Sequence, residues 1–394
     1  MTIAINVQKH MTDSSWIRRM FELGIALKNE RGEENVFDLS LGNPVVEPPR
    51  AFHDELKKFI QSHPKGAHRY MPNAGYAFAR QAIAESLCAE TGLKYQKEHI
   101  MMSVGAAGAL NVVIHALCDP GDEVLILSPY FAEYLFYASN HNALPVVVKP
   151  DASLLPDIED LKSKISPRTK LLILNSPNNP SGVIYPESVI EAISKILIEK
   201  EHELGVKIYL VSDEPYRRII FDGYKYPFPQ HYYERTITVT SHAKDLALPG
   251  ERIGYLALHP QIEHHETLMD AFVFCNRVLG FVNAPAIMQH VVSKLQNVTV
   301  EVADYQAKRD FLFSVLMEAG YEVRKPEGAF YMFPKSPVPD EMELINVLQN
   351  EGVLVVPGRG FGLPGYFRIS YCVDDATLQG AAVGFRNAMR KLKP

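Results

Sequence analysis

The chain has 394 residues, of which 47% are hydrophobic and 22% are charged, and its formal net charge is −6. This length allows two domains with a large core. The charge is too balanced for a surface of clustered lysine and arginine, so neither nucleic acid nor a membrane is expected as a partner.

An N-terminal helix is predicted over Ser15–Lys28. Further along the chain, short apolar runs rich in β-branched residues are typical of strands that are covered on both faces. These predicted strands are Glu123–Leu127, Pro145–Val148, Leu171–Leu174, Ile208–Val211, Thr236–Thr240 and Ile253–Leu258. Helical patterns such as Pro186–Glu203 lie between several of them. The alternation predicts an α/β fold whose large domain is doubly wound around a mostly parallel sheet.

The pattern changes near residue 290. One long helix is predicted over Asn283–Arg309, followed by short strands and a C-terminal helix over Ala376–Leu392. The short strands are Tyr321–Arg324, Ala329–Phe333 and Phe367–Tyr371. These elements predict a smaller α+β domain. We therefore expect an N-terminal segment (1–48) that packs with the small domain, a large domain (49–289) and the small domain (290–394).

The cysteines and histidines show no metal-binding pattern. Cys88, Cys118, Cys275 and Cys372 have neither CxxC nor metal-ligand spacing, and HExxH is absent. No metal is therefore expected, and unpaired thiols predict a reducing compartment. The N-terminus has no apolar run of signal-peptide length, and no window approaches a membrane span. These features predict a cytoplasmic location.

Polar and aromatic residues follow four of the predicted strands, where open α/β sheets bind their ligands. These segments are Ser128–Phe131, Asn175–Gly182, Ser212–Tyr216 and Ser241–Lys244. Turn chemistry alone explains each segment. Together they offer an aromatic ring, an amide, a carboxylate, a phenol, a hydroxyl and an amine, which suits pyridoxal phosphate. Its aldehyde needs a lysine, its ring nitrogen a carboxylate, and its phosphate a hydroxyl, backbone N–H groups and an arginine.

Six motifs resemble those of the fold-type I, class I/II pyridoxal-phosphate aminotransferases, in particular the aspartate aminotransferase-like members. The most specific is S-x-[SA]-K followed by P-G-x-R-x-G, at Ser241–Gly254. The others are N-x-P-x-N-P-x-G at Asn175–Gly182, D-E-x-Y at Asp213–Tyr216, Y-x-x-x-x-G at Tyr70–Gly75, P-G-x-x-F-G at Pro357–Gly362 and F-R-I-S-Y at Phe367–Tyr371. The resemblance extends from about Phe37 to Tyr371.

The resemblance implies a cofactor role for each of these positions. Lys244 holds pyridoxal phosphate as a Schiff base, Asp213 pairs with the ring nitrogen, and Asn179 and Tyr216 bond to the ring's phenolic oxygen. The phosphate is held by Ser241, Arg252 and the N–H groups of Gly105, Ala106 and Ala107 at a helix start, which is a general anion site. Phe131, in preference to Tyr130, stacks on the ring.

The resemblance also implies how substrate binds. Arg368 binds the substrate α-carboxylate through two parallel hydrogen bonds, a bidentate contact that arginine makes better than lysine. Gly42 and Asn179 line the same pocket. Tyr70 reaches the phosphate of a neighbouring subunit, which implies a homodimer with shared active sites. Burial and the nearby Arg252 favour the neutral amine of Lys244, which can then act as a base.

The expected reaction is transamination between an amino acid and a 2-oxo acid, with glutamate and 2-oxoglutarate as one pair and aspartate as the first candidate for the other donor. Two positions depart from the family pattern. Ala243 stands where many relatives carry serine, and Ala107 stands where some aspartate-specific relatives carry lysine. The identity of the residue that binds the substrate side chain is left undecided, and the candidates are Arg277, Arg18 and Arg19.

Two alternatives differ in class. A pyridoxal-phosphate carbon–sulfur β-lyase on the same fold would use the same lysine, aspartate and arginine, so the motifs do not separate it from a transaminase. The ligand-sensing half of a transcription regulator would need a DNA-binding module. Only about 35 residues precede the matched region, too few for a winged helix-turn-helix.

Overall fold

The computed structural model describes residues 3–12 and 16–393 of the chain. Its helices are α1 Ile5–Thr12, α2 Trp16–Arg31, α3 Arg50–Ser62, α4 Ala77–Thr91, α5 Ala106–Leu117, α6 Glu133–Asn140, α7 Ile158–Lys164, α8 Glu187–Leu204, α9 His242–Asp245, α10 His265–Val278, α11 Ala286–Val292, α12 Val302–Ala319, α13 Glu341–Asn350 and α14 Asp375–Leu392. Its strands are β1 Phe37–Asp38, β2 Ile100–Ser103, β3 Glu123–Leu127, β4 Leu144–Val148, β5 Thr169–Asn175, β6 Tyr209–Asp213, β7 Thr236–Ser241, β8 Gly254–Leu258, β9 Tyr331–Met332, β10 Val353–Leu354, β11 Val356–Pro357 and β12 Phe367–Ser370. None of these helices is long and apolar enough to cross a membrane.

Seven strands form one large sheet in the order β2-β8-β7-β6-β5-β3-β4. Only β8 pairs antiparallel with both of its neighbours, and the other pairings between adjacent strands are parallel. The predicted doubly wound, mostly parallel α/β fold is therefore confirmed. Because the strands are parallel, the carboxyl ends of β3, β5, β6 and β7 lie at one edge of the sheet.

Helices cover both faces of this sheet, and side chains alternate between the two sides along each strand. On β5, Leu171 and Ile173 pack with residues of α5, α6 and α10. Leu172 and Leu174 point to the opposite face and pack with residues of α8. All four side chains are buried. Burial of each such branched side chain stabilises the fold by about 1.5–3 kcal/mol, and the rigid sheet holds its strand ends in place.

The C-terminal part of the chain forms a three-stranded sheet in the order β11-β12-β9, together with α12, α13 and α14. The N-terminal segment joins this region because β1 pairs in parallel with β10. Arg368 lies on β12, and Tyr331 lies on the neighbouring strand β9. The smaller sheet therefore delivers polar side chains toward the large sheet.

Two predicted elements are wrong. The single helix over Asn283–Arg309 is interrupted, since residues 293–301 separate α11 from α12. There the N–H of Val300 and the hydroxyl of Thr299 both donate to the backbone oxygen of Asp245, at 2.7 and 3.1 Å. These bonds replace intrahelical ones in a stretch of β-branched residues with low helix propensity. The predicted strand Tyr321–Arg324 is reduced to one bridge between Glu322 and Lys335.

The remaining predicted elements are present, β3 with the predicted ends and the others with shifted ends. The predicted N-terminal helix corresponds to α2, although Ser15 lies outside the described residues. The C-terminal helix corresponds to α14, and the predicted strands of the large sheet correspond to β3 to β8. The cysteines are free thiols in the structure.

Candidate active site

A cavity of about 300 Å³ opens at the carboxyl ends of the parallel strands. The register places Asn175, the last residue of β5, beside Asp213, the last residue of β6. The residues that line the cavity are Gly42, Ala106, Ala107, Leu110, Phe131, Glu133, Tyr134, Tyr137, Asn175, Asn179, Asp213, Pro215, Tyr216, Ser241, Ala243, Lys244, Pro249, Arg252, Tyr331 and Arg368. Eleven of the positions predicted from sequence are among them.

Asp213 lies in the cavity at the end of β6, and 5% of its surface is exposed. Its Oδ2 accepts a 2.5 Å hydrogen bond from the hydroxyl of Tyr134. Its Oδ1 is buried without a hydrogen-bond partner. Burial raises the pKa of Asp213 to about 7, while the bond from Tyr134 opposes that shift. A buried carboxylate oxygen without a donor is costly, so this atom is suited to a ligand that brings a cationic N–H group.

Lys244 lies in the short helix α9, directly after β7. Its Nζ donates a 2.6 Å hydrogen bond to the backbone oxygen of Gly42. Burial lowers its pKa to about 8, and the nearby cations Arg368 and Arg252 contribute to this shift. Lys244 is therefore neutral at much lower pH than an ordinary lysine, whose pKa is about 10.4. Gly42 must lack a side chain here, since a Cβ would lie 1.9 Å from the hydroxyl oxygen of Tyr331.

Gly105 and Arg252 form an anion site at the start of α5. Gly105 precedes this helix with φ +85°, and the first N–H groups of a helix have no intrahelical partner. A Cβ on Gly105 would lie 3.0 Å from Nη2 of Arg252, so the bare backbone leaves room beside the guanidinium. Arg252 is exposed and donates to the backbone oxygen of Pro249 at 3.0 Å. The helix start and the guanidinium together suit a phosphate.

Arg368 is buried on β12 and faces the same cavity. Its Nη1 donates to Oδ1 of Asn179 at 3.0 Å, and its Nη2 donates to the backbone oxygen of Ser40 at 2.5 Å. Its Nε is buried without a partner. No carboxylate of the described residues pairs with this cation. The guanidinium can therefore receive a carboxylate from a ligand.

Asn179 and Tyr216 are held by neighbours on the rim of the cavity. The backbone N–H of Asn179 donates to Oδ1 of Asn175 at 2.8 Å. The amide of Asn175 also donates to the backbone oxygen of Asp213 at 2.9 Å, which ties this loop to β6. The hydroxyl groups of Tyr216 and Tyr331 lie 3.1 Å apart.

Ser241, Phe131, Ala106 and Ala107 also line the cavity. The hydroxyl of Ser241 accepts a 3.4 Å bond from the N–H of Ala243, at the start of α9. Phe131, and not Tyr130, lies on the cavity wall, with its ring edge-to-face against Tyr134 at 5.6 Å. Stacking of Phe131 on a cofactor ring stays a prediction.

Several predicted residues lie elsewhere. Tyr70 is 92% exposed and does not line the cavity of this single chain. Arg277 is exposed on α10, with its guanidinium 5.6 Å from the ring of Phe274. Arg19 lies 5.0 Å from the ring of Trp16, also away from the cavity. The side chain of Arg18 lies outside the described residues.

Four polar cavity residues were missed by the sequence reasoning: Glu133, Tyr134, Tyr137 and Tyr331. Three of them belong to α6, which begins two residues after Phe131. The sequence did carry a signal for these residues, because Glu133 and Tyr137 are one helical turn apart and so lie on the same face of a helix. Tyr331 carried no comparable signal, since it lies on a two-residue strand in the smaller sheet.

The fold and the cavity together define a class. A mostly parallel seven-stranded sheet presents a lysine, a carboxylate with one unpartnered oxygen and an anion site at one edge, and a second sheet adds an arginine that no carboxylate of the described residues pairs with. This is the arrangement of the fold-type I pyridoxal-phosphate enzymes that the motifs predicted.

Comparison with known proteins identifies the family of the chain. The profile of the family "Aminotransferase class I and II" matches residues 34–385, so the chain belongs to this family and is an aminotransferase. A probable aspartate/prephenate aminotransferase of Thermus aquaticus is 32% identical over 377 residues, which cover 93% of this chain and 94% of that protein. The aspartate/prephenate aminotransferase of Thermus thermophilus is also 32% identical, over 92% of this chain and 94% of that protein.

Solved structures agree with this placement. An amino transferase of Eubacterium rectale has a TM-score of 0.96 and 36% identity, and each chain covers 100% of the other. The aspartate aminotransferase of Thermus thermophilus with maleate has a TM-score of 0.86 and 29% identity, over 98% of this chain and 100% of that chain.

Proposed function

We propose that this aminotransferase binds pyridoxal phosphate in the cavity and transfers an amino group between an amino acid and a 2-oxo acid. The observation that carries the proposal is the buried, unpartnered Oδ1 of Asp213 in one cavity with Lys244. A protonated ring nitrogen would supply the donor that this oxygen lacks. The gap beside Gly105 and the guanidinium of Arg252 would receive the phosphate.

The residues fit the cofactor at its other groups as well. Lys244 would hold it covalently, Asn179 and Tyr216 would bond to its phenolic oxygen, and Phe131 would cover its ring. Ser241, with the N–H groups of Ala106 and Ala107, would complete the phosphate site. When bound, pyridoxal phosphate supplies an electron sink for the carbanion formed at the substrate α-carbon.

The protein's own groups then position the substrate and move the proton. Arg368 binds the α-carboxylate, which gives its orphaned Nε an acceptor. Once the substrate amine has replaced it on the cofactor, the free amine of Lys244 would remove the proton from the α-carbon, because its lowered pKa leaves a useful neutral fraction near neutral pH. Asp213 keeps a proton on the ring nitrogen, which stabilises negative charge that develops during this step.

The substrate proposal is narrower than the family assignment. Curated relatives that match over more than nine-tenths of this chain are named as aspartate or aspartate/prephenate aminotransferases. We infer that glutamate and 2-oxoglutarate form one substrate pair and that aspartate is the first candidate for the other donor. A named aromatic-amino-acid aminotransferase is also 28% identical over 99% of this chain, so aromatic donors belong in the same test.

The proposal extends to assembly, location and domain organisation. We propose a homodimer with shared sites, in which the exposed Tyr70 reaches the phosphate of the other subunit. We also propose a cytoplasmic location, which unpaired thiols support. The division into 1–48, 49–289 and 290–394 remains a proposal as well.

The test is a panel of amino donors against 2-oxoglutarate, with formation of the 2-oxo acid as the readout. We expect a yellow protein that borohydride labels on the peptide containing Lys244, and activity with aspartate. A Lys244→Ala variant is the control, since it keeps the other cavity residues. Absence of 2-oxo acid with every donor would refute the proposal. Pyruvate from cysteine-type substrates without amino transfer would instead identify a carbon–sulfur β-lyase.

A further inference from the structure

A second carboxyl group in the cavity has no place in the mechanism above. Glu133 begins α6, and its Oε2 is buried without a hydrogen-bond partner. Burial raises the pKa of Glu133, and Arg368 opposes this shift. The two groups form no direct ion pair within the described part of the chain. Oε2 of Glu133 is therefore a buried carboxyl oxygen for which a ligand could supply the missing partner.

The cations of the cavity are already engaged. Among the described residues that line it, the positive side chains are Lys244, Arg252 and Arg368. In the proposed function they hold the cofactor aldehyde, its phosphate and the substrate α-carboxylate. A dicarboxylic substrate brings one carboxylate more, and the described residues of a single chain place no further cation at the cavity wall. Among the described lining residues, the carboxyl group without an assigned role is that of Glu133.

Resting on the proposed function, we propose that Glu133 is a specificity-determining residue that binds the distal carboxylate of dicarboxylic substrates by sharing one proton with it. The proton comes from solvent as the substrate binds. It forms a single O–H···O⁻ hydrogen bond between the two carboxyl groups, and the pair keeps one negative charge. No other bond forms or breaks. Hydrogen bonds of this charge-assisted type are among the stronger ones in proteins.

The surroundings of Glu133 favour proton uptake on binding. Its electrostatic neighbours are Arg368 on β12, Tyr331 on β9 and Tyr137 on its own helix. Of these, Arg368 is the group that favours the ionised form. The substrate α-carboxylate neutralises Arg368, and the distal carboxylate adds a like charge. Both changes favour the protonated form of one member of the pair.

The test is calorimetric titration of the pyridoxal-phosphate-loaded protein with succinate and with propionate. Each titration is made in two buffers that differ in ionisation enthalpy, which counts the protons taken up. We expect succinate to take up about one proton more than propionate. Propionate is the control for protons that other groups exchange when Arg368 is filled. Over the pH range in which Glu133 ionises, succinate affinity should fall about tenfold per pH unit, as one-proton linkage requires.

Two variants complete the test. Glu133→Gln should still bind succinate, because its amide donates a hydrogen bond, but the extra proton and the steep pH dependence should disappear. Glu133→Ala should weaken succinate about tenfold and leave propionate unchanged. Equal proton counts for both ligands, or tighter succinate binding by Glu133→Ala than by wild type, would overturn the inference. A protein that shows no transamination with any donor would refute the proposed function and this inference with it.

Discussion

Tyr134 and Asp213, 79 positions apart in the chain, share a 2.5 Å hydrogen bond that fixes one oxygen of the carboxylate and leaves the other free. The bond connects α6, which follows β3, to the end of β6. It lowers the pKa of Asp213 against the upward shift that burial causes. Tyr134 therefore acts on the site by keeping Asp213 oriented and more readily ionised.

Replacement of Tyr134 by phenylalanine should impair the reaction while leaving the fold intact. Without the phenol, the pKa of Asp213 should rise above its value of about 7, so a smaller fraction is ionised at neutral pH. We expect kcat to fall about tenfold, equivalent to about 1.4 kcal/mol, with cofactor retained. The measurement is kcat as a function of pH. Tyr137→Phe, in the same cavity wall, is the control. Equal kcat in Tyr134→Phe and wild type would contradict the role.

The lowered pKa of Lys244 should be visible when cofactor-free protein is loaded. Only the neutral amine attacks an aldehyde, so the loading rate should rise with pH and level off above about 8, the pKa of this lysine. An ordinary lysine would give a rate that still rises toward about 10.4. Stopped-flow absorbance of the bound cofactor measures the rate. A midpoint near 10 would show that the lysine is not buried as described.

The same pKa predicts a change in the stability of the cofactor-free protein. Between about pH 8 and about 10.4 the unfolded chain binds a proton at Lys244 that the folded protein does not. The contribution of Lys244 to the free energy of unfolding should therefore rise with pH across this window. Lys244→Met removes the group that is costly to charge, so its cofactor-free form should unfold at a higher urea concentration than wild type at pH 7. A lower urea midpoint for Lys244→Met than for wild type would contradict the predicted direction of the effect.

Gly105→Ala should weaken cofactor binding. The new Cβ would lie 3.0 Å from Nη2 of Arg252, at a φ of +85°. The strained backbone alone costs about 1–3 kcal/mol of stability. Gly121→Ala is the control, since its φ is +90° and no atom lies within 4 Å of its new Cβ. We expect both variants to lose stability, but only Gly105→Ala to lose about tenfold or more in pyridoxal-phosphate affinity. Equal affinities in the two variants would remove Gly105 from the phosphate site.

Complementation should test the shared site of the proposed dimer. Tyr70 is 92% exposed in a single chain, so its predicted contact with phosphate requires a second copy. A Tyr70→Ala variant and a Lys244→Ala variant, each impaired, should regain activity when mixed, because one hybrid site then has both residues. Activity after subunit exchange, followed by size-exclusion chromatography, is the readout. Exchange without recovery would argue against a shared site.

The sequence predicted the central part of the fold because the strands are short, apolar and buried on both faces, as β3 and β5 show. It also predicted which residues would meet at the sheet edge, since Asp213 and Lys244 come within four residues of the ends of two predicted strands. It did not predict α6 as a wall of the cavity. The helix places Glu133 and Tyr134 there through tertiary packing, which periodicity does not encode.

Local patterns also failed where long-range bonds decide the backbone. Residues 293–301 have no helix because Val300 and Thr299 bond to Asp245, which is distant in sequence. The strand β2 was not predicted either, although four-residue runs elsewhere in the chain were. In both regions, the partner that fixes the conformation lies far along the chain.

The position of β2 at the end of the sheet has a consequence for the order of synthesis. Among the described strands, β2 pairs only with β8. Val104 lies just after β2, and Arg252 lies just before β8, 148 positions further along the chain. A growing chain therefore exposes the unpaired edge of β2 until nearly two-thirds of the protein has been made. The proposed phosphate site cannot form before that point, so we expect newly made protein to bind pyridoxal phosphate only late in synthesis or after release.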